Sequence, residues 1–500
     1  MRARLILLVL VAGAIAQADR LVSWQRRANL TLLEFERGAG EIEIVSPSTF
    51  RFVRCRTKPC AGRPASEEPV TFRAAETAAA FEFHTSYIDI RLRKLDGGLS
   101  VKSRHGVELF DEVVPPGAAP SGIALDLIAR DGERFYGLGP RPDTELDLRG
   151  KTIPTKRPLL ISSTGFGLWF TASSDYVFDL AAKATDRVSV RAAFPDRAEF
   201  YFHYGPAPKE VLEENLTVAG SSMQVAPRHT QAVAEGELPR YAIKPPLELP
   251  MPALLAWLAH ASMSGLAAPA LRQSTPPLAV ESLFPLLYGG ETSPLRRSLH
   301  PYLYTYLMEA KERGIPLFRP MAMQYPRDEA ALHRLDQFML GDELLVAAGK
   351  DVYLPMGLWT DLRTGELYKG RQTVPVAQAD GAPLYVRNGT IVPLLQPDGT
   401  IQLHYFPRLG AEFFLSEPGD ALPSQVHAGP AAGVLRLEIE SRVARTYEWI
   451  VHRVSPAAAI EPASVQARYD AAKRTLHLPV RAEEMGDSII NITLEVPLEP

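Results

Sequence analysis

The sequence is short of the residues that most often announce a chemistry. Two cysteines stand in 500 residues, and no clustered Cys/His spacing offers a metal site. There is no Gly-x-Ser-x-Gly nucleophile elbow and no phosphate-cradling glycine loop, and no cofactor is called for. Basic runs are missing too. The formal net charge is −4 with a pI near 6.3, which argues against nucleic acid as a partner. The two cysteines, Cys55 and Cys60 in VRCRTKPCAG, read as a small-loop disulfide across a strand end, with a pair of free thiols as the alternative.

What is present begins with an export pattern. MRAR is a basic n-region, LILLVLVAGAIA an apolar h-region, and AQA a small-residue site that predicts cleavage after Ala18. The apolar run is too short to span a bilayer, and no later stretch is apolar enough for a membrane helix. The expected product is secreted or periplasmic, with no membrane contact after cleavage. From Asp19 to about Gly205 the period is two. EIEIV (Glu41–Val45), FRFVRC (Phe50–Cys55), YIDIRLRKL (Tyr87–Leu95) and LSVKS (Leu99–Ser103) alternate apolar and polar residues, with a hairpin signal at Asp96–Gly98. Many short strands with turns between them predict an antiparallel β-sandwich.

Helical patterns follow. Gly205–Gly220 sets Val211, Leu212 and Leu216 on one face, and Ala253–Leu266 is a short apolar helix. Leu299–Met321 carries a stripe of Leu299, Leu303, Tyr306, Leu307 and Ala310. Ser298 is its expected N-cap, Pro301 lies in the first turn, and Gly314 is the stop. Beyond Met321 the strand pattern returns twice, to about residue 403 and then to Pro500. The fold class expected is mainly β and multidomain. A signal peptide (1–18) precedes an N-terminal β-sandwich (19–220) and a mostly helical segment (221–325). Two C-terminal antiparallel β-domains follow (326–403 and 404–500).

Several phrases together resemble glycoside hydrolase family 31, which includes α-glucosidases and α-xylosidases. In the N-terminal half they are ERFYGLGPR (Glu133–Arg141), LDLRGK (Leu146–Lys151) and RPLLISSTGFGLWF (Arg157–Phe170). Later come LHPYLYTYLMEAKERGIPLFRPM, DQFMLGDELLVA (Asp336–Ala347), VYLPMGLWTDLRTGE (Val352–Glu366) and APLYVRNGTIVPL (Ala382–Leu394), in the family's order. The resemblance implies that the helix at Leu299 is the last of a (β/α)8 barrel, and that α-glycosides are the substrate class. It also implies retaining chemistry by two aspartates, which must stand about 5 Å apart across the scissile bond.

Those aspartates are not found. No Asp occurs between Arg197 and Arg327, and most of a barrel of about 250 residues cannot fit the interval. Where the family expects an acidic residue after SMSGL, the chain has AAPALRQST with Arg272. Glu237 is a candidate acid/base, and Glu248 stands a little later, each more simply a solvated linker carboxylate. His300, at the helix start, more simply packs there. Trp169, Trp257 and Trp359 could be sugar platforms but are more simply core residues. Pro140 stands where the family usually has glutamate after GLG. Three readings follow: a non-hydrolytic carbohydrate-binding or scaffold protein, an α-glycosidase with non-standard residues, or a deletion product without function. The helical stripes need cover, either between the sandwich and the proximal C-terminal domain or through self-association.

Overall fold

A computed structural model of the chain describes residues 20–36, 38–55, 60, 68–114, 123–172, 174–192, 197–220, 249–266, 294–377, 383–417, 422–431, 434–457, 459–483 and 488–495. The cleavage site at Ala18, together with Glu237, Glu248 and Arg272, lies outside them. Two compact units emerge, one of residues up to Phe135 with Leu148–Pro206, the other of Tyr136–Asp147 with Ala207 onward.

The first unit holds two antiparallel sheets. One contains, in hydrogen-bonded order, Leu21–Arg27, Leu30–Phe35, Ala39–Ile44, Thr49–Cys55, Arg197–Tyr204, Phe166–Phe170 and Leu159–Ser162. The other runs Thr152–Thr155, Tyr176–Leu180, Arg187–Ala192, Ile123–Ile128, Glu108–Val114, Leu99–Ser103, Ile88–Arg93, Ala80–His84 and Arg73–Glu76. Aromatic side chains join the sheets. Phe110 of the second meets Phe166 and Phe202 of the first edge-on, at 6.1 and 5.9 Å between ring centroids. Full burial of each such ring stabilises by about 1.5–3 kcal/mol, so this layer is the core of the sandwich. Cys55 and Cys60 are joined, their Cα atoms 5.5 Å apart.

The alternation of EIEIV does not mean half exposure. Glu41 and Glu43 are both buried, as is Arg51 on the neighbouring strand. The Arg51 guanidinium donates to Glu43 at 2.8 Å, Glu41 at 3.0 Å and Glu199 at 3.4 Å. The polar face of this strand is thus spent on a buried cation, each of whose three nitrogens meets a carboxylate, which offsets their desolvation.

In the second unit the helices Pro208–Ala219, Met251–Met263 and His300–Arg313 precede two β-structures. Pro208–Ala219 belongs with this unit rather than with the sandwich. Lys209 pairs with Asp342 at 2.6 Å and Glu213 with Arg313 at 2.7 Å. Met251–Met263 is apolar all round and accordingly buried, with every residue from Leu255 to Met263 inside. Ser262 donates to the Phe318 carbonyl at 2.8 Å, and Ser264 accepts from the Gly139 amide at 2.9 Å.

His300–Arg313 begins at Leu299, not Ser298. Residues Pro294–Ser298 already form a helical turn, and the Leu299 amide donates to the Leu295 carbonyl, so the chain enters this helix from a preceding turn, with Leu299 at the cap position and no side-chain cap. Its end is as the sequence implies: Gly314 is left-handed, with φ 72°. The stripe Leu299, Leu303, Tyr306, Leu307, Ala310 is buried within the chain. Its cover includes the distal β-domain, since Phe413 stacks on Tyr302 at 6.0 Å and Thr305 accepts from the Ser416 amide.

The proximal β-structure is a six-stranded sheet from Phe318–Pro320 to Leu367–Lys369, with a separate two-stranded antiparallel sheet of Asp351–Leu354 and Gln372–Pro375. Met321, Met339, Leu345, Val352, Trp359 and Tyr385 form its core. The distal structure has two five-stranded sheets. One is Thr390–Leu395, Ile401–Phe406, Arg445–His452, Thr475–Ala482, Arg468–Asp470; the other is Ala411–Leu415, Ser424–Ala431, Val434–Ser441, Ser488–Glu495, Ala459–Glu461. Strands Ile401–Phe406 and Arg445–His452 are parallel. No helix among the described residues is long and apolar enough to cross a membrane.

Candidate functional site

Roughly 110 residues separate the last sandwich strand, ending at Tyr204, from the strand Phe318–Pro320, against about 250 in a (β/α)8 barrel. The described part of that interval is helical. Carboxylates do gather beside these helices, in the second unit. The turn after strand Gln337–Leu340 carries Asp342 and Glu343, and the environments of the two differ sharply.

Asp342 pairs with Arg319 at 2.5 Å and Lys209 at 2.6 Å, and accepts from Gln324 at 2.6 Å. Burial alone would raise its pKa, but the two cations overcome that and hold its carboxyl well below the usual range. Arg319 is fully buried; it also pairs with Glu309, and its guanidinium lies 4.9 Å from the Tyr306 ring centre.

Glu343 goes the other way. Burial, and next the charge of Asp342, push its carboxyl up to about 7 against the donors Tyr306 and Tyr302. Proton counting agrees. The Tyr302 hydroxyl has one proton and two acceptors in reach, the Leu340 carbonyl at 2.6 Å and Glu343 Oε2 at 2.9 Å. The shorter bond takes that proton. A protonated Glu343 then supplies its own to the Tyr302 oxygen, while Tyr306 donates to Oε2 at 2.5 Å.

Two carboxyls with pKa values driven apart are the usual mark of acid/base chemistry. Here both already have partners. Glu343 faces two tyrosines in the core, and Asp342 is shared by two cations and an amide. The arrangement locks helices Pro208–Ala219 and His300–Arg313 to the proximal sheet.

A second titratable group lies on the distal domain. His404 Nδ1 and His452 Nε2 are 2.9 Å apart, and His404 Nε2 is 3.3 Å from Gln402 Oε1. Because the Gln402 amide nitrogen donates to Glu448, its oxygen must accept from His404 Nε2–H. Neutral His404 then accepts at Nδ1 from His452. Burial, and for His404 also its neighbour His452, holds both imidazoles low, His452 at about 4. Among the described residues no group of three His, Cys, Asp or Glu is arranged to hold a metal ion.

The remaining sequence candidates are scattered. Trp359 is fully buried with its indole N–H on the Pro355 carbonyl, Trp257 is buried in its helix, and Trp169 is half-buried against Tyr201 at 5.5 Å. His300 stacks on Tyr304 at 6.2 Å. Pro140 follows Gly139, whose amide is held by Ser264. The carboxyls of Asp342 and Glu343 take their described partners from Arg319, Lys209, Gln324, Tyr302 and Tyr306. That cluster went unread in the sequence, although GDELL places two acids together after a strand.

The architecture is that of a mainly β multidomain protein with helices at its middle. Residues 314–392 match the glycosyl hydrolase family 31 C-terminal domain. Over that part the chain is similar to family 31 proteins, α-glucosidases among them. It is 39% identical over 115 residues to a 1,6-alpha-glucosyltransferase of Sporosarcina globispora, and 42% identical over 109 residues to neutral alpha-glucosidase AB of Homo sapiens. These stretches are 21% and 20% of this chain but only 9% and 11% of those relatives. In fold it is similar to a GH31 dextranase of Flavobacterium johnsoniae complexed with isomaltotriose, with a TM-score of 0.77 and 13% identity over 96% of this chain and 100% of that one. The cycloalternan-forming enzyme of Listeria monocytogenes, in complex with a pentasaccharide substrate, gives 0.79 and 13% over 97% and 78%.

Proposed function

We propose that this chain is an exported, non-hydrolytic member of family 31 that binds carbohydrate. One observation carries the loss of hydrolysis: no aspartate lies between Arg197 and Arg327, the interval that the family's nucleophile and acid/base occupy. A retaining reaction needs one carboxylate to attack while another protonates the leaving oxygen, and the acids near the helices, Asp342 and Glu343, pair with Arg319, Lys209 and Tyr306. The flanking β-domains keep the family's phrases, and the leader MRARLILLVLVAGAIAQA supports export. Carbohydrate is the ligand class that the relationship to α-glucosidases favours.

Hydrolysis of a panel of aryl α-glycosides by the purified chain tests the catalytic half, with Glu237→Gln alongside to expose host contamination. The expected result is no turnover above that variant. Turnover that persists through purification and disappears in Glu237→Gln overturns the proposal and restores an active glycosidase.

A further inference from the structure

The distal β-domain carries an open cleft of about 350 Å³ on the outer face of the sheet built from Ala411–Leu415, Ser424–Ala431 and Val434–Ser441. Its floor is backbone. Gly410 and Gly429 approach so closely that a Cβ on Gly429 would come within 2.8 Å of the Gly410 Cα. A side chain there would fill the cleft or part the strands.

Cross-strand register sets the walls. Glu412 is opposite His427, and His427 is opposite Glu438, while Gly429 is opposite Arg436. These side chains point to one face, because residues two apart on a strand share it. Glu412 and His427 are in loose contact at 3.6 Å, with 50% and 40% of their side chains exposed. Arg436 and Glu438 line the cleft with no ion pair or side-chain hydrogen bond among the described residues. A guanidinium fork and a carboxylate are left with unspent donors and acceptors over a floor without side chains. Phe414 stands two residues beyond Glu412 on the same face, 46% exposed, at about 7 Å along the strand.

We infer that this cleft is a glycan-binding subsite, in which Glu438, Glu412 and Arg436 hold the hydroxyls of one glycosyl residue and Phe414 stacks on the next. The inference rests on the carbohydrate-binding reading above and assigns it a place. Its volume is at the small end of ligand pockets, about 300–1,000 Å³, and suits a single sugar ring. Its chemistry is mixed, with two carboxylates, one guanidinium and an imidazole, so it selects neither a strong anion nor a strong cation. A pair of neighbouring hydroxyls can both donate to a carboxylate or both accept from a guanidinium fork. The exposed ring supplies the apolar surface that the C–H face of a sugar needs. An oligosaccharide lying along Ala411–Leu415 would meet both features.

The test is calorimetric titration of the full chain with maltotriose and isomaltotriose, comparing the unaltered protein with Phe414→Ala, Arg436→Ala and Tyr87→Ala. The last removes an equally exposed aromatic in the other unit (54% exposed) and should change nothing. Loss of affinity by about tenfold in Phe414→Ala and in Arg436→Ala is expected, one charge-assisted contact or one ring stack being of that order, with melting temperatures unchanged. Binding that survives both substitutions overturns this site and leaves the carbohydrate-binding reading standing. No binding of either trisaccharide by the unaltered chain overturns both.

Discussion

Replacing Glu343 by glutamine should change how stability depends on pH more than it changes stability itself. The Glu343 carboxyl titrates at about 7 in the folded chain, against about 4.3 in an unfolded one. A raised carboxyl favours the folded state while it holds its proton. Its contribution is therefore complete below about pH 4.5 and disappears as pH rises through 7. By linkage the difference amounts to about 3–4 kcal/mol. Glutamine keeps an oxygen to accept from Tyr306 and cannot ionise. The assay is urea denaturation of both proteins at pH 4.5, 6, 7 and 8, followed by tryptophan fluorescence. The free-energy gap between them should move by about 3 kcal/mol in favour of the variant from the lowest pH to the highest. Other titrations, the His404–His452 pair included, contribute to both proteins and cancel in the gap. A gap that stays constant across this range would mean that Glu343 is ionised throughout, and the proton assignment at Tyr302 would be wrong.

Arg319→Ala strips Asp342 and Glu309 of a fully buried cation and should cost about 3–5 kcal/mol, read as a shift of the urea midpoint; a shift equivalent to under 1 kcal/mol would show that the network contributes little. For the histidines the sign is opposite to that of Glu343: their lowered pKa values contribute stability above about pH 6.5 that is lost as pH falls through about 4. Imidazole proton NMR should find His452 still neutral at pH 5.5, and a midpoint near 6.5 would refute the shared-proton pair. Gly314→Ala should cost about 1–2 kcal/mol, because φ is 72° and the new Cβ would sit 3.2 Å from the Leu212 carbonyl oxygen; a thermal melt that does not move would contradict the packing of Pro208–Ala219 on His300–Arg313.

Much of the architecture was legible because it is local. Period two marks a strand wherever one face is buried, and Gly314 ends its helix because a left-handed residue is cheapest as glycine. An apolar helix such as Met251–Met263 announces its own burial. The interval without aspartate is a fact of the sequence and needed no coordinates. The N-cap expected at Ser298 is not made, because the turn Pro294–Ser298 leads straight into the helix and moves the cap position to Leu299.

Sequence by itself therefore determined the strand pattern, the glycine stop of the helix His300–Arg313, the family's phrases and the missing carboxylates. Only tertiary structure decided what the charged residues do. Glu41 and Glu43 are only the polar positions of an alternating strand until register sets Arg51 beside them. Asp342 and Glu343 are neighbours in GDELL, yet Arg319 and Lys209, arriving from other elements, hold the first well below the usual range, while burial and the charge of its neighbour push the second up to about 7. Gly410 and Gly429 make a cleft floor only when two strands are paired. A pattern along the chain records periodicity, whereas burial, charge partnership and register depend on residues that folding brings from far away.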